Sequence, residues 1–459
     1  MTSVFYASTL FGAMTLATAL DAGAFGDHDE RRVLIVSNTV PIPEITPSFD
    51  RLPAAAGLRE RFDDVVDWNA LVAPLHPSRW RPRAAEAPML ARLFAQRLGL
   101  AGGVRELVLE SVAVAPARTI GSLLQGCPIT VYSDGLMSYG PTRDNLPAGI
   151  GRRTSRLLYL DLVPTIAPLL LREYDVATVA LPDTGFRRVV ASLPAADAAG
   201  ARGAPVVLGQ YLSQLGILEP REELELHERM LDALAARGAD RVVFRPHPAA
   251  RRVHVLPLQR HAQRRGVELV VPDDGLPAES WFAAAGPSLV VSCFSTALFT
   301  ASRFYGCEVA TMGTDTVLER VAPFENSNRI PVTLADALLP RLDADGGTTR
   351  PDVPDVTELV RAVGYCMQAD RLADLRDAAA AYLGRHGRER YFKRKRLEAV
   401  GLLAPPPAAP APTAPPVGKG LLARAGGRRP GGRAAAGRAG GPGDRPVTRE
   451  DGRPNRRRT

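Results

Sequence analysis

The sequence predicts an α/β protein built as two Rossmann-like halves, each a parallel sheet with helices on both faces, followed by a tail that cannot build a core. Three observations carry that expectation. Short apolar runs alternate with stretches of helical period across residues 4–181 and again across 205–311, and strands that alternate with helices need crossovers over a parallel sheet. Residues 191–204 are small and alanine-rich and interrupt the alternation. From Ala404 the chain is proline, alanine, glycine and arginine without a period, a composition that buries too little apolar surface to fold. The divisions expected are a first half at 1–190, a linker at 191–204, a second half at 205–355, a helical segment at 356–403 and a disordered tail at 404–459.

Taken in order, residues 4–7 read as an opening strand. Ser8-Thr9-Leu10-Phe11-Gly12 then turns the chain into a helix through Leu20, with small residues that let a ligand approach the backbone. This start is apolar enough to resemble a signal sequence, but no lysine or arginine precedes Arg31 and six hydroxyl residues interrupt the run, so a strand and helix fit better. A strand at 33–36 follows, closed by Ser37-Asn38 and a proline-rich loop at 41–47. Helical patterns come at 54–62 and 88–100, strands at 104–109 and 129–132, a helix around 152–174, and a strand at 176–181.

The second half restarts with a strand at 205–208 and a loop at 209–213. Residues 222–237 form the clearest helix: Leu224, Leu231 and Leu234 share a face, Glu222 and Glu223 occupy the first turn where the dipole favours them, and Gly238 can end it. Then come a strand at 241–244, a helix at 256–265, a strand at 267–271, a helix at 278–285, a strand at 288–292, a helix at 296–305 and a strand at 308–311. Residues 356–383, continued by the basic run 385–396, read as a terminal helix that packs back across the first half.

Charge is unevenly placed. The chain carries a formal +8, but residues 404–459 alone hold twelve basic and three acidic side chains, which leaves the body at −1. The folded part therefore has no electrostatic footprint for specific nucleic acid, and the tail is the segment suited to a membrane surface or a polyanion. Only Lys393, Lys395 and Lys419 are lysines, so a phosphate loop ending in Gly-Lys and a Schiff-base lysine are both excluded from the body. Cys127, Cys293, Cys307 and Cys366 are scattered among apolar residues with no C-x-x-C pair, as expected of reduced core cysteines in a cytoplasmic protein.

Three places hold side chains suited to chemistry. His247 lies just past the strand at 241–244, between Pro246 and Pro248, and in open α/β sheets ligands bind beyond the carboxyl ends of the strands. Ser295 and Thr296 stand where a buried strand gives way to a helix, and free backbone N–H groups with hydroxyls at a helix start suit a phosphate. In the first half, the strand at 129–132 runs into Ser133-Asp134-Gly135, a carboxylate at a strand end that could act as a base. Asp273-Asp274-Gly275 is also acidic, but it follows Pro272 in a strand-to-helix turn on the other half and reads as a turn.

The ordered set Ser133-Asp134-Gly135, His247-Pro248 and Ser295-Thr296 resembles the D/E-D/E-G, HP and S/S-or-S/T motifs of bacterial sialyltransferases. The strings Arg245-Pro246-His247-Pro248 and Phe294-Ser295-Thr296-Ala297-Leu298 are similar in particular to the bacterial α-2,8-polysialyltransferase family. That resemblance implies the GT-B fold, with two Rossmann-like domains facing across a cleft, and an inverting transfer of sialic acid from CMP-sialic acid to a glycan acceptor, without a metal or other cofactor. It also implies Asp134 as general base and His247, Ser295 and Thr296 as partners of the departing phosphate. Glu279 would reach the ribose hydroxyls, Gln210 and Ser213 would line the cleft, and Gly135 and Pro248 would support their motifs. A location in the cytoplasm, at the inner face of the membrane where the tail can touch it, follows. Ser133 departs from the pattern, which asks for a second acidic residue there. Two other readings stay open: a GT-B transferase using CDP-glycerol or another nucleotide sugar, and a catalytically silent binding protein of the same shape.

Overall fold

The computed structural model describes residues 1–26, 30–133, 135–247, 255–388 and 390–404. The tail expected at 404–459 lies outside them apart from Ala404. Seven strands of the first sheet are β1 (Thr2–Ala7), β2 (Arg31–Val36), β3 (Asp64–Asp67), β4 (Val104–Glu110), β5 (Ile129–Ser133), β6 (Thr154–Leu160) and β7 (Ala177–Leu181). A second sheet holds β8 (Val206–Leu208), β9 (Arg241–Arg245), β10 (Glu268–Val270), β11 (Val290–Ser292), β12 (Val309–Thr311), β13 (Arg341–Leu342) and β14 (Thr348–Thr349).

The first sheet is ordered β3-β2-β1-β4-β5-β6-β7 and is parallel throughout. The second is ordered β10-β9-β8-β11-β12-β13-β14, parallel except for the β13–β14 hairpin. In each the chain winds outward one way from its first strand and then returns to the other side, so the strand order reverses between β1 and β4 and between β8 and β11. Strands buried on both faces have no alternation to show, and β1, β5, β8 and β11 are buried at every position. This is the GT-B arrangement.

The two sheets share packing. Phe11 and Phe304 both pack against Phe186 with tilted rings, at centroid separations of 5.5 and 5.4 Å. Arg303, on the helix Thr296–Tyr305, donates to the Asp161 carbonyl at 2.6 Å and pairs with Asp183 at 2.7 Å. The helix Val356–Met367 and the turn after it do lie on the first half: Gln368 donates to the Arg143 carbonyl at 3.0 Å, and Arg371 reaches Asn145 at 2.7 Å.

Several expected elements change. The helix expected at 152–174 is β6 followed by irregular chain and a 3-10 turn at Arg172–Tyr174. Leu157, Leu158 and Leu160 are all buried between β5 and β7, and such a run has the same pattern in a central strand as in a buried helix. The helical pattern at 54–62 shrinks to a 3-10 turn and one α turn, Ala56–Arg59, and the charged edge strand β3 takes its place in the sheet. The long terminal helix is divided into Val356–Met367, Arg376–His386 and Arg394–Ala399, with Gly387 at φ 73° ending the second. The helix Asp183–Ala191 runs up to the expected linker. Among the described residues, no helix is long and apolar enough to cross a membrane.

Candidate active site

The site is assembled from three loops at the carboxyl edge of the second sheet and one strand exit of the first. The exits of β8 and β9 approach closely: a Cβ on Gly209 would lie 2.9 Å from the Phe244 ring and 3.2 Å from Pro246 Cα, so only glycine lets them sit this near. Beyond them the Tyr211 and His247 rings lie 4.2 Å apart, centre to centre. Burial pushes the His247 imidazole down to about 4, so it is neutral near pH 7 and ready to gain a proton beside an anion.

From the same loop, Gln210 Oε1 accepts from the Phe294 backbone N–H at 3.1 Å, and Ser292 Oγ donates to the Leu208 carbonyl at 2.9 Å. These bonds tie the exit of β8 to the exit of β11. Ser295 then caps the helix Thr296–Tyr305, accepting from the Ala297 N–H at 3.2 Å. Thr296 faces the first half: a Cβ on Gly135 would lie 2.7 Å from Thr296 Oγ1 and 2.9 Å from its Cγ2. The acidic motif of the first sheet thus abuts the hydroxyl motif of the second, through a glycine that leaves room for the contact. Asp134 and Pro248 lie outside the described residues.

Three sequence-predicted residues, Glu279, Ser213 and Gln210, make hydrogen bonds within the protein. Glu279, in the first turn of the helix Ala278–Ala285, is only 2% exposed and accepts from Thr300 Oγ1 at 2.7 Å. Burial raises its carboxyl above the ordinary range despite that bond. Its bond to Thr300 links the helices Ala278–Ala285 and Thr296–Tyr305. Ser213 donates through Oγ to Glu223 at 2.5 Å, and Glu223 also takes the Leu212 and Ser213 backbone N–H groups. It holds the loop in shape, as Gln210 does.

Asp274 is more than a turn residue. Its carboxylate takes both bonds from Arg245, at 2.9 and 3.0 Å, the Trp281 indole N–H at 2.5 Å and the Leu276 N–H at 3.0 Å. Burial pushes its carboxyl up, but the Leu276, Trp281 and Arg245 contacts outweigh it and hold the group below its usual range. Arg245 also lies over the Trp281 ring at 5.4 Å. The pair anchors the last residue of β9, two positions before His247. Arg245 could have been flagged as a charge ending an apolar strand. Asp345 and Asp343 accept from the Gly347 N–H at 3.0 Å and Thr349 Oγ1 at 2.6 Å within the β13–β14 hairpin.

The profile of the family described as alpha-2,8-polysialyltransferase (POLYST) matches residues 3–314. No curated protein sequence matches the chain. Among solved structures, a sialyltransferase GT-B domain from Photobacterium damselae has 12% identity and a TM-score of 0.39, covering 72% of this chain and 95% of its own. A glycosyltransferase from Rickettsia africae has 9% identity and a TM-score of 0.40, covering 87% and 97%. A UDP-GlcNAc 2-epimerase from Methanocaldococcus jannaschii has 11% identity and a TM-score of 0.37, covering 80% and 100%.

Proposed function

The chain belongs to the alpha-2,8-polysialyltransferase family and is a glycosyltransferase; on that premise we propose that it moves sialic acid from CMP-sialic acid to a glycan acceptor with inversion, extending α-2,8-linked chains. The observation that carries the reading is the contact of Gly135 with Thr296, because a transfer needs its base and its leaving-group partners on opposite walls of one crevice.

In this reading the first half presents the acceptor and the second holds the nucleotide. The Asp134 carboxylate takes the proton of the acceptor hydroxyl as its oxygen attacks the anomeric carbon. The bond to the phosphate oxygen breaks, and CMP leaves with the electron pair. His247, the Ser295 and Thr296 hydroxyls and the positive N-terminal end of the helix Thr296–Tyr305 meet the charge that develops on the phosphate. Gln210, Ser213, Glu279 and the Arg245–Asp274 pair keep those groups in place. Attachment of the basic tail to the inner face of the membrane brings the enzyme to its glycan.

A thermal-shift series with CMP, CDP and UDP, each with and without chelator, tests this. A ligand that binds only the native protein at a hundredfold its Kd stabilises by about 2.7 kcal/mol. CMP should raise Tm most, with or without chelator. A shift with UDP alone, or with CMP only when metal is present, would overturn the donor assignment.

A further inference from the structure

A polar chain crosses the carboxyl edge of the first sheet. Tyr6 makes hydrogen bonds with Ser37 and Ser8, Ser8 Oγ donates to Glu110 Oε1, and the Tyr132 hydroxyl lies within reach of both Glu110 Oε2, at 3.0 Å, and the Tyr6 carbonyl, at 2.9 Å. These residues end β2, β1, β4 and β5, four neighbouring strands. The carboxylate at its centre is the last residue of β4 and is 6% exposed, whereas Ser8 is only half-buried. Ser8 and Glu110 end β1 and β4, the two strands between which the order reverses, and the crevice at such a reversal is where α/β sheets take ligands.

We infer that Ser8 is an acceptor-sugar contact and that Glu110 is the positioning residue that aims it; this rests on the function proposed above. A serine whose proton is committed to a carboxylate has only oxygen lone pairs left for a ligand, so it accepts from a sugar hydroxyl. Helix geometry leaves no slack in the pair: a Cβ on Gly12 would lie 2.8 Å from Glu110 Oε2 and 3.0 Å from Thr9 Oγ1. Burial first, and the Glu110 charge second, raise the Tyr6 hydroxyl above its ordinary value, so Tyr6 remains a donor that helps orient Ser8. The acidic residue that the motif lacks at Ser133 has a counterpart here on the adjoining strand, since Glu110 pairs with Tyr132 in the sheet register.

The test uses the full chain with CMP-sialic acid and a fluorescent sialyl oligosaccharide. Ser8→Ala should raise acceptor KM about tenfold, the loss of one hydrogen bond to a polar group. Ser8→Thr should restore it. Glu110→Gln should raise KM in the same way, because the new amide can donate to Ser8 and reverse its polarity. CMP affinity by calorimetry should stay within about twofold in each variant, since the nucleotide is held from the other sheet. An unmoved acceptor KM overturns the inference. So does a KM rise accompanied by weaker CMP binding or a large fall in Tm, which would mark a structural role. A wild-type protein that neither binds CMP nor transfers from CMP-sialic acid fails earlier, at the function itself, and takes the inference with it.

Discussion

The proposed role of His247 as a phosphate partner makes two distinct predictions at the scale of single residues. Because burial holds the folded His247 near 4 and the unfolded chain titrates near ~6.5, the unfolded state binds more protons between those values. Its contribution to stability is present above ~6.5 and is lost as pH falls toward about 4. A bound phosphate raises the pKa, so CMP binding takes up a proton, and the affinity advantage of wild type over His247→Gln should grow as pH falls from 8 toward ~5. Calorimetry on both proteins cancels the titration of the phosphate itself, and a pH-independent ratio would remove His247 from the phosphate. Asp134→Asn should lower kcat by about 10²–10⁴, the usual range for a general base, and leave CMP affinity nearly unchanged. Asp274→Asn is no longer expected to be silent. It weakens the hold on Arg245, so Tm should fall by an amount equivalent to roughly 1–3 kcal/mol and CMP should bind several-fold more weakly while the base still works. The Asp274 carboxyl is held below its usual range, so this stabilisation is present above the unfolded carboxylate value and is lost as acid carries the pH through the lower, folded one. Activity lost in the Asp274 variant but kept in the Asp134 variant would reverse the two walls of the crevice.

Among elements, the exit of β5 and the start of the helix Thr296–Tyr305 matter most, because each carries a motif and each touches the other. Gly135→Ala would force Thr296 or the strand exit to move. Overpacking of this kind costs roughly 1–3 kcal/mol, and here kcat should fall by more than the stability loss alone accounts for, since both walls shift. Kinetics and melting measured on the same preparation separate the two effects. Ser295→Ala should cost about 1 kcal/mol of stability as a lost cap and also weaken CMP. Helices were legible where capping residues and apolar period are local signals: Ser295 before the helix Thr296–Tyr305, and Glu222 and Glu223 in the first turn of Pro220–Ala236. β6 was not, since its buried leucines carry no period that separates strand from helix. Glu110 was equally visible as a carboxylate ending an apolar strand. Nothing local marked it, because its importance comes from Ser8 and Tyr132, which arrive from other strands.

For the whole molecule, the excess of positive charge in residues 404–459 predicts a contact with anionic membranes or polyanions that weakens steeply with salt. Truncation after Leu403 should abolish vesicle binding at low salt and leave kcat on a small soluble acceptor within about threefold. A large loss of turnover would place the tail in the catalytic machinery. Sequence alone determined the alternation of strands and helices, the two halves and the order of the three motifs, because side-chain period, turn residues and caps act over a few neighbours. It also excluded lysine-dependent phosphate loops, because the only lysines of the body, Lys393 and Lys395, follow Phe392 and Arg394 rather than a glycine-rich turn. Tertiary structure alone decided the strand orders that reverse at β1/β4 and β8/β11, the contact of Gly135 with Thr296, the anchoring of Arg245 by Asp274 and the neutral state of His247. Each of these joins groups far apart in the chain, and such pairings are set by which surfaces can be buried together, a property of the packed molecule that no local stretch contains.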